Sequence, residues 1–270
     1  IYISYAENRG DGKTSTSIAK SKFNKKDFIF KNIFQANPPI NSGYHFGSRL
    51  AIKDDFLFAS AGERGEGMIA QDPTKHPGSI IRINIDGSIP KDNPKFQGKS
   101  DWLPEIYQIG IRNPQGLTLS PYDGKIYMSN HGARGGDWFG EAKKGENYGW
   151  KILGWGGTNY SGTKIGPKWK PGFTKAIQYW VPSIAASAIT IYKGKEFSDM
   201  RKWVVNNLDN DPVKIFRKIY DSMYDSLQPE TIPHAVLIIA DYQYKSAFVA
   251  DQEINLVACL TELMSQVKFK

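Results

Sequence analysis

Residues 110–150 read GIRNPQGLTLSPYDGKIYMSNHGARGGDWFGEAKKGENYGW, and this stretch decides the fold. Two short apolar runs, at 117–119 and 126–128, flank Pro121-Tyr122-Asp123-Gly124. Apolar runs joined by proline, aspartate and glycine predict a β-hairpin. The sequence then breaks into His131-Gly132-Ala133-Arg134-Gly135-Gly136-Asp137, too rich in glycine for a regular element, and closes on Asn147-Tyr148-Gly149-Trp150. Glycines and polar groups gathered at strand ends describe a site held by loops on a rigid sheet.

Working outward, the same unit recurs. Paired apolar runs at 50–58, 117–128 and 188–205 start about 70 residues apart, with 80–83 and 213–216 as outer strands of the first and third units. A β unit repeated at wide spacing, its faces buried only against its neighbours, predicts a β-propeller. A β-sandwich with coincidental hairpins stays open on pattern alone. After Tyr220 the character changes. Within 242–269, Val249, Ile254, Leu256, Val257, Leu260, Leu263, Met264 and Val267 follow the spacing of an amphipathic helix. The expected organisation is therefore an all-β unit over 1–219 and an atypical, helical tail over 220–270.

The bulk numbers fit this. At 270 residues, with 40% hydrophobic and 23% charged, the chain sits in the ordinary globular range and is long enough for a sizeable core. Its 26 glycines, 15 prolines and 13% aromatics lean towards a turn-rich β protein. No apolar run approaches the roughly 18 residues of a membrane span. Ile1-Tyr2-Ile3-Ser4-Tyr5 already reads as a strand, so the chain is expected to begin within a domain, with no signal peptide in view. One cysteine, Cys259, excludes an internal disulfide framework and a multi-cysteine metal site. The net charge of +8 comes from scattered lysines without a nucleic-acid-binding signature. It reads as a solvated basic surface, and its field favours an anionic ligand. No dinucleotide or phosphate loop and no nucleophile elbow occurs. His76, His131 and His234 lack the spacing of a transition-metal set.

Four motifs in order carry a more specific reading: Arg112-Asn113-Pro114-Gln115-Gly116, His131-Gly132-x-Arg134-Gly135-Gly136-Asp137, Asn147-Tyr148-Gly149-Trp150 and Pro182-Ser183-Ile184-Ala185. Over about residues 1–219 the chain resembles the soluble sugar dehydrogenases that depend on pyrroloquinoline quinone (PQQ), the glucose/sorbosone or aldose dehydrogenase family. The resemblance implies a six-bladed β-propeller, present here in part. It implies oxidation of the C1 hydroxyl of an aldose to the lactone, with hydride passing to PQQ, Ca²⁺ beside the cofactor, and an electron acceptor of unspecified identity. A periplasmic or secreted location is implied too. The rival from another class is a propeller that kept the scaffold, lost redox chemistry and serves as a binding or structural module.

PQQ carries three carboxylates, so a protein using it must neutralise charge and place a base against the sugar hydroxyl. By the resemblance His45, in His45-Phe46-Gly47-Ser48-Arg49-Leu50, is that base; spacing alone favours a loop histidine bonded to backbone. Glu63 is either its orienting carboxylate or an exposed loop acid. Arg112 and Asn113 match the pair facing the quinone oxygens. Gln71, Trp180 and Ser183 are the further cofactor contacts that the resemblance implies, and for Trp180 and Ser183 buried structural roles stay open. Gly132 and Ala133 match the carbonyls that bind Ca²⁺, and Asp137 and Tyr148 are candidates for a second cation site or ordinary loop support. Five departures stand out: Tyr44 for an aspartate before the histidine, Asn130, Ala133 and Trp138 within the calcium loop, and, at 207–209, Asn207-Leu208-Asp209 where relatives place a carboxylate-pairing lysine. Lys214 lies nearby but points elsewhere if the strand register holds.

Overall fold

The computed structural model describes residues 1–24, 27–94, 102–191, 197–207 and 211–270. The chain divides into two compact units, Ile1–Ile191 and Tyr192–Lys270. The first holds the strands and the second the α-helices.

The strands form three antiparallel sheets, each running up and down in chain order. The first contains β1 (Tyr2–Asn8), β2 (Thr14–Lys20) and β3 (Lys31–Gln35). The second contains β4 (Gly47–Lys53), β5 (Phe56–Ala61), β6 (Ser79–Asn84) and β7 (Ile106–Ile109). The third contains β8 (Asn113–Leu119), β9 (Ile126–His131), β10 (Asp137–Glu141) and β11 (Gln178–Trp180). Meanders of this kind need only short turns, and the sequence supplies them. Between β4 and β5, Asp54 takes φ 53, so Lys53 pairs directly with Phe56. Aspartate tolerates that left-handed region better than most residues. Between β8 and β9, Lys125 O accepts from Ser120 N and Gly124 takes φ 65.

Burial follows strand position. β5 and β6, flanked on both sides, are buried almost throughout, whereas β1 at a sheet edge alternates. One core cluster joins Phe58 and Ile80 of the second sheet to Leu117, Ile126, Met128 and Trp138 of the third. Tyr148 stacks on Trp138 with ring centres 4.1 Å apart, closing the loop after β10 onto that core. A second cluster packs Ile18 and Phe34 of the first sheet against Leu57, Ile81, Ile83 and Ile106 of the second. The hairpins expected at 50–58 and 117–128 and the strand at 80–83 are present. As expected, no strand runs through 132–136; β10 begins directly after Gly135-Gly136, at Asp137.

The third repeat differs from expectation. In place of a hairpin at 188–205 and a strand at 213–216 stand α1 (Phe197–Asn207) and α2 (Pro212–Ser226). The physical signal is a helix start: Asp211 Oδ1 accepts from Val213 N at 2.9 Å and Pro212 occupies the first turn. Within the tail stand α3 (Ile232–Lys245) and α4 (Gln252–Gln266); of the helix expected within 242–269, α4 carries Ile254, Leu256, Val257, Leu260, Leu263 and Met264, whereas Val249 falls in the connection before Asp251, which caps α4. Val204, Ile215, Phe216, Ile239, Leu256 and Leu263 form the core of this unit, with Cys259 free and buried. Lys214 is exposed on α2, while Leu208 and Asp209 lie outside the described residues. No helix among the described residues is long and apolar enough to cross a membrane.

Candidate functional site

A cavity of about 380 Å³ opens within the first unit, with His45, Glu63, Arg112, Ala133, Trp150 and Lys151 in its walls. That volume lies within the range of small-molecule sites. The walls come from loops at strand ends: before β4, after β5, before β8, after β9, and the turn that ends the Asn147-Tyr148-Gly149-Trp150 motif.

His45 and Glu63 face each other because two loops interlock. His45 takes φ 49, and Gly62 lies so close to the His45 carbonyl that a side chain there would strike it. Gly62 N donates to Phe46 O at 3.1 Å. Arg64, buried beneath, donates to the carbonyls of Tyr44 (2.7 Å), Thr14 (3.0 Å) and Ser42 and stacks on Phe46. Burial pushes the Arg64 guanidinium down to about 10, with the Glu63 charge opposing the shift. It therefore remains a cation at neutral pH, pinning the His45 loop.

The His45 Nδ1 is hydrogen-bonded to Glu63 Oε1, and Gly67 N donates to Glu63 Oε2. Burial would raise the Glu63 carboxyl, but these hydrogen bonds and the charges of His45 and Arg112 outweigh it, so its pKa lies below the ordinary carboxylate value. An ionised carboxylate only accepts, so the shared proton belongs to His45 Nδ1, and whenever the ring is neutral its lone pair is on Nε2. Because the folded pKa is depressed, the pair stabilises the fold above the ordinary Glu pKa, roughly 4.3, and that contribution is lost as pH falls through the folded value. Glu63→Gln should flatten the acid limb of a melting-temperature profile; an acid limb identical to wild type would contradict the assignment.

Arg112 is buried, yet among the described residues its guanidinium makes only a long bond to His131 O, 3.5 Å, and lies 5.4 Å from the Trp150 ring centre. Its backbone is set by buried Asn130, whose Oδ1 accepts from both Arg112 N (3.1 Å) and Asn113 N (2.8 Å). Glu63 N donates to Arg112 O at 2.8 Å, fixing the carboxylate beside the arginine. Asn113 is not in the cavity wall. Its Oδ1 accepts from Gly47 N at 3.2 Å and Gln115 Nε2 at 2.9 Å, tying β8 to the start of β4.

The other predicted residues fall around the cavity in supporting positions. Gln71 exchanges hydrogen bonds with Asn147 and donates to Trp150 O, holding the turn that carries Trp150. Asp137 is fully buried and accepts from Gly132 N, Ser183 Oγ, Ile184 N and Ala185 N. Ser183 is thus turned onto Asp137. Trp180 pairs with Asp137 across β10 and β11, and its carbonyl accepts from Gly136 N. Tyr148 is buried, donates to Glu141 O at 2.9 Å, and has its phenol pushed up by burial. Asp137 and Tyr148 are therefore spent on protein partners, and of the predicted cation ligands only Ala133 lines the cavity. Among the described residues no cluster of three or more His, Cys, Asp or Glu forms a metal site. Two carbonyls are a small part of the six to eight oxygens that Ca²⁺ takes.

Sequence reasoning missed four contributors. Arg64 directly follows Glu63 in the sequence, and Asn130 was noted only as a departure. Trp150 was read as motif, and Lys151 follows it directly. The buried Trp150 ring N–H has no hydrogen-bond partner among the described residues. Buried donors are rarely left so.

Residues 1–217 match the family model described as Glucose / Sorbosone dehydrogenase. Among curated proteins, Aldose sugar dehydrogenase YliI of Escherichia coli (strain K12) is 37% identical over 205 residues, covering 73% of this chain and 54% of that protein. The crystal structure of the soluble aldose sugar dehydrogenase from Escherichia coli in the apo-form aligns with TM-score 0.68 and 35% identity, covering 73% of this chain and 58% of that one. The PQQ-bound form of aldose sugar dehydrogenase from Streptomyces coelicolor aligns with TM-score 0.51 and 25% identity, covering 66% and 48%. The chain spans about half the length of the curated relatives it matches.

Proposed function

The chain belongs to the glucose/sorbosone dehydrogenase family, and from that premise we propose that its first unit is part of a six-bladed propeller whose His45 cavity oxidises aldoses with PQQ. The observation that carries the reading is His45, held by an ionised Glu63 so that Nε2 is its free base, in one cavity with the buried cation Arg112. Cavity charge fits a polycarboxylate: Arg112 and Lys151 outnumber Glu63.

Bound PQQ would supply the two-electron oxidant, taking the C1 hydrogen of the sugar with its electron pair. The chain's own residues do the rest. His45 Nε2 accepts the proton of the C1 hydroxyl, so that the sugar loses two electrons and two protons and leaves as the lactone. Glu63 keeps the ring in the productive tautomer and stabilises the imidazolium that forms. Arg112 offers its under-used N–H groups to oxygen that gains negative charge. Gly132 and Ala133 offer carbonyls for Ca²⁺ by the resemblance alone, and no step here depends on the ion. A periplasmic or secreted location belongs to the same reading.

Titrating the chain with PQQ in calcium-containing buffer should quench tryptophan fluorescence saturably. Adding an aldose should then bleach the quinone absorbance. Binding without bleaching would leave a binding module in place of the enzyme, and no binding would remove the PQQ reading from this chain.

A further inference from the structure

We infer that Lys151 is an anion-pairing residue of the His45 cavity, gripping a carboxylate of the ligand. This rests on the PQQ reading above and deepens it. Lys151 follows Trp150 and lines the same cavity as His45, Glu63 and Arg112. Its side chain lies across Gly67: a Cβ at Gly67 would come within 2.9 Å of Lys151 Cδ and 3.9 Å of Nζ. Gly67 takes φ 53 and donates its N–H to Glu63, so one glycine both completes the Glu63 site and leaves room for the lysine stem.

The ammonium is uncommitted. Among the described residues Lys151 makes no ion pair or hydrogen bond, although many of the chain's other cations have partners. The only carboxylate in the cavity wall, Glu63, has its two oxygens on His45 and Gly67. Arg112 lies deep in the wall, whereas Lys151 is exposed at it, so the two cations sit at different depths. A flat ligand with carboxylates at separated positions would meet Arg112 inside and Lys151 at the mouth. A lysine at a solvent-facing rim acts as a mobile point charge, which suits a carboxylate that also stays hydrated.

The test measures Kd for PQQ on the full chain by tryptophan quenching, for wild type, Lys151→Met and Lys151→Arg, with circular dichroism to confirm the fold. Lys151→Met should bind about fivefold more weakly, as expected for a partly solvated ion pair. Its affinity should fall less steeply with added salt, and Lys151→Arg should restore both. A Lys151→Met Kd and salt dependence equal to wild type would overturn the inference while leaving PQQ binding intact. Trimesate, a benzene tricarboxylate without a quinone, separates the two readings. Lys151-dependent binding of trimesate with no binding of PQQ would keep the anion subsite and remove the quinone. Wild-type protein that binds neither would overturn both.

Discussion

Replacing His45 with alanine should lower kcat for aldose oxidation by about 10²–10⁴-fold, the usual contribution of a positioned general base, with PQQ affinity changed far less. The split follows from the geometry. The only ring nitrogen free to take a proton is Nε2, because Nδ1 is committed to Glu63. The groups argued to hold the cofactor, Arg112 and Lys151, come from other loops. Glu63→Gln should fall between wild type and His45→Ala. The glutamine amide can still accept from Nδ1–H, but the negative charge that favours the imidazolium is gone. The experiment is a stopped-flow record of quinone bleaching on PQQ-loaded protein at saturating aldose. A His45→Ala rate equal to wild type would assign the proton to another group, and a matched loss in PQQ affinity would make His45 a packing residue of the cofactor.

The depth at which the residues spoke differed between scaffold and site. Hairpins at 50–58 and 117–128 were legible because each joins apolar runs across a turn, and a turn such as Asp54-Asp55 admits one register. His45, Glu63 and Arg112 could be gathered only through the resemblance, since they lie far apart in sequence and meet where Glu63 N bonds Arg112 O. Arg64 was not legible. Nothing in its sequence position says that it buries its charge under the His45 loop, since that depends on three carbonyls converging from 14–44. The third repeat failed for a local reason. Trp203-Val204-Val205 reads as strand by composition yet lies within α1, and at 213–216 the expected strand gives way to α2, which Asp211-Pro212 starts. For 213–216 composition favoured the strand, and the cap decided otherwise.

Asp137→Ala should destabilise the first unit by about 3–5 kcal/mol, the cost of leaving buried donors facing a void. Asp137 stands at the head of β10, paired with Trp180, and none of its surface reaches solvent. Oδ1 accepts from Gly132 N at 2.8 Å; Oδ2 accepts from Ser183 Oγ at 2.6 Å, Ile184 N at 2.9 Å and Ala185 N at 2.8 Å. One carboxylate thus ties the glycine loop after β9 to the segment after β11, and the adjoining Ala133 is part of the cavity wall. Asp137→Asn should cost less, about 1–3 kcal/mol. Its amide oxygen can keep the three donors of Oδ2, while its NH₂ then faces Gly132 N–H, donor against donor. Urea unfolding followed by tryptophan fluorescence suits the measurement, because every tryptophan except Trp203 lies in the first unit. An Asp137→Ala midpoint equal to wild type would sink the clamp. Were the carboxylate instead a calcium ligand, EGTA would lower the wild-type midpoint towards that of the variant. A carboxylate saturated by four protein donors predicts that chelation leaves the wild-type midpoint where it is.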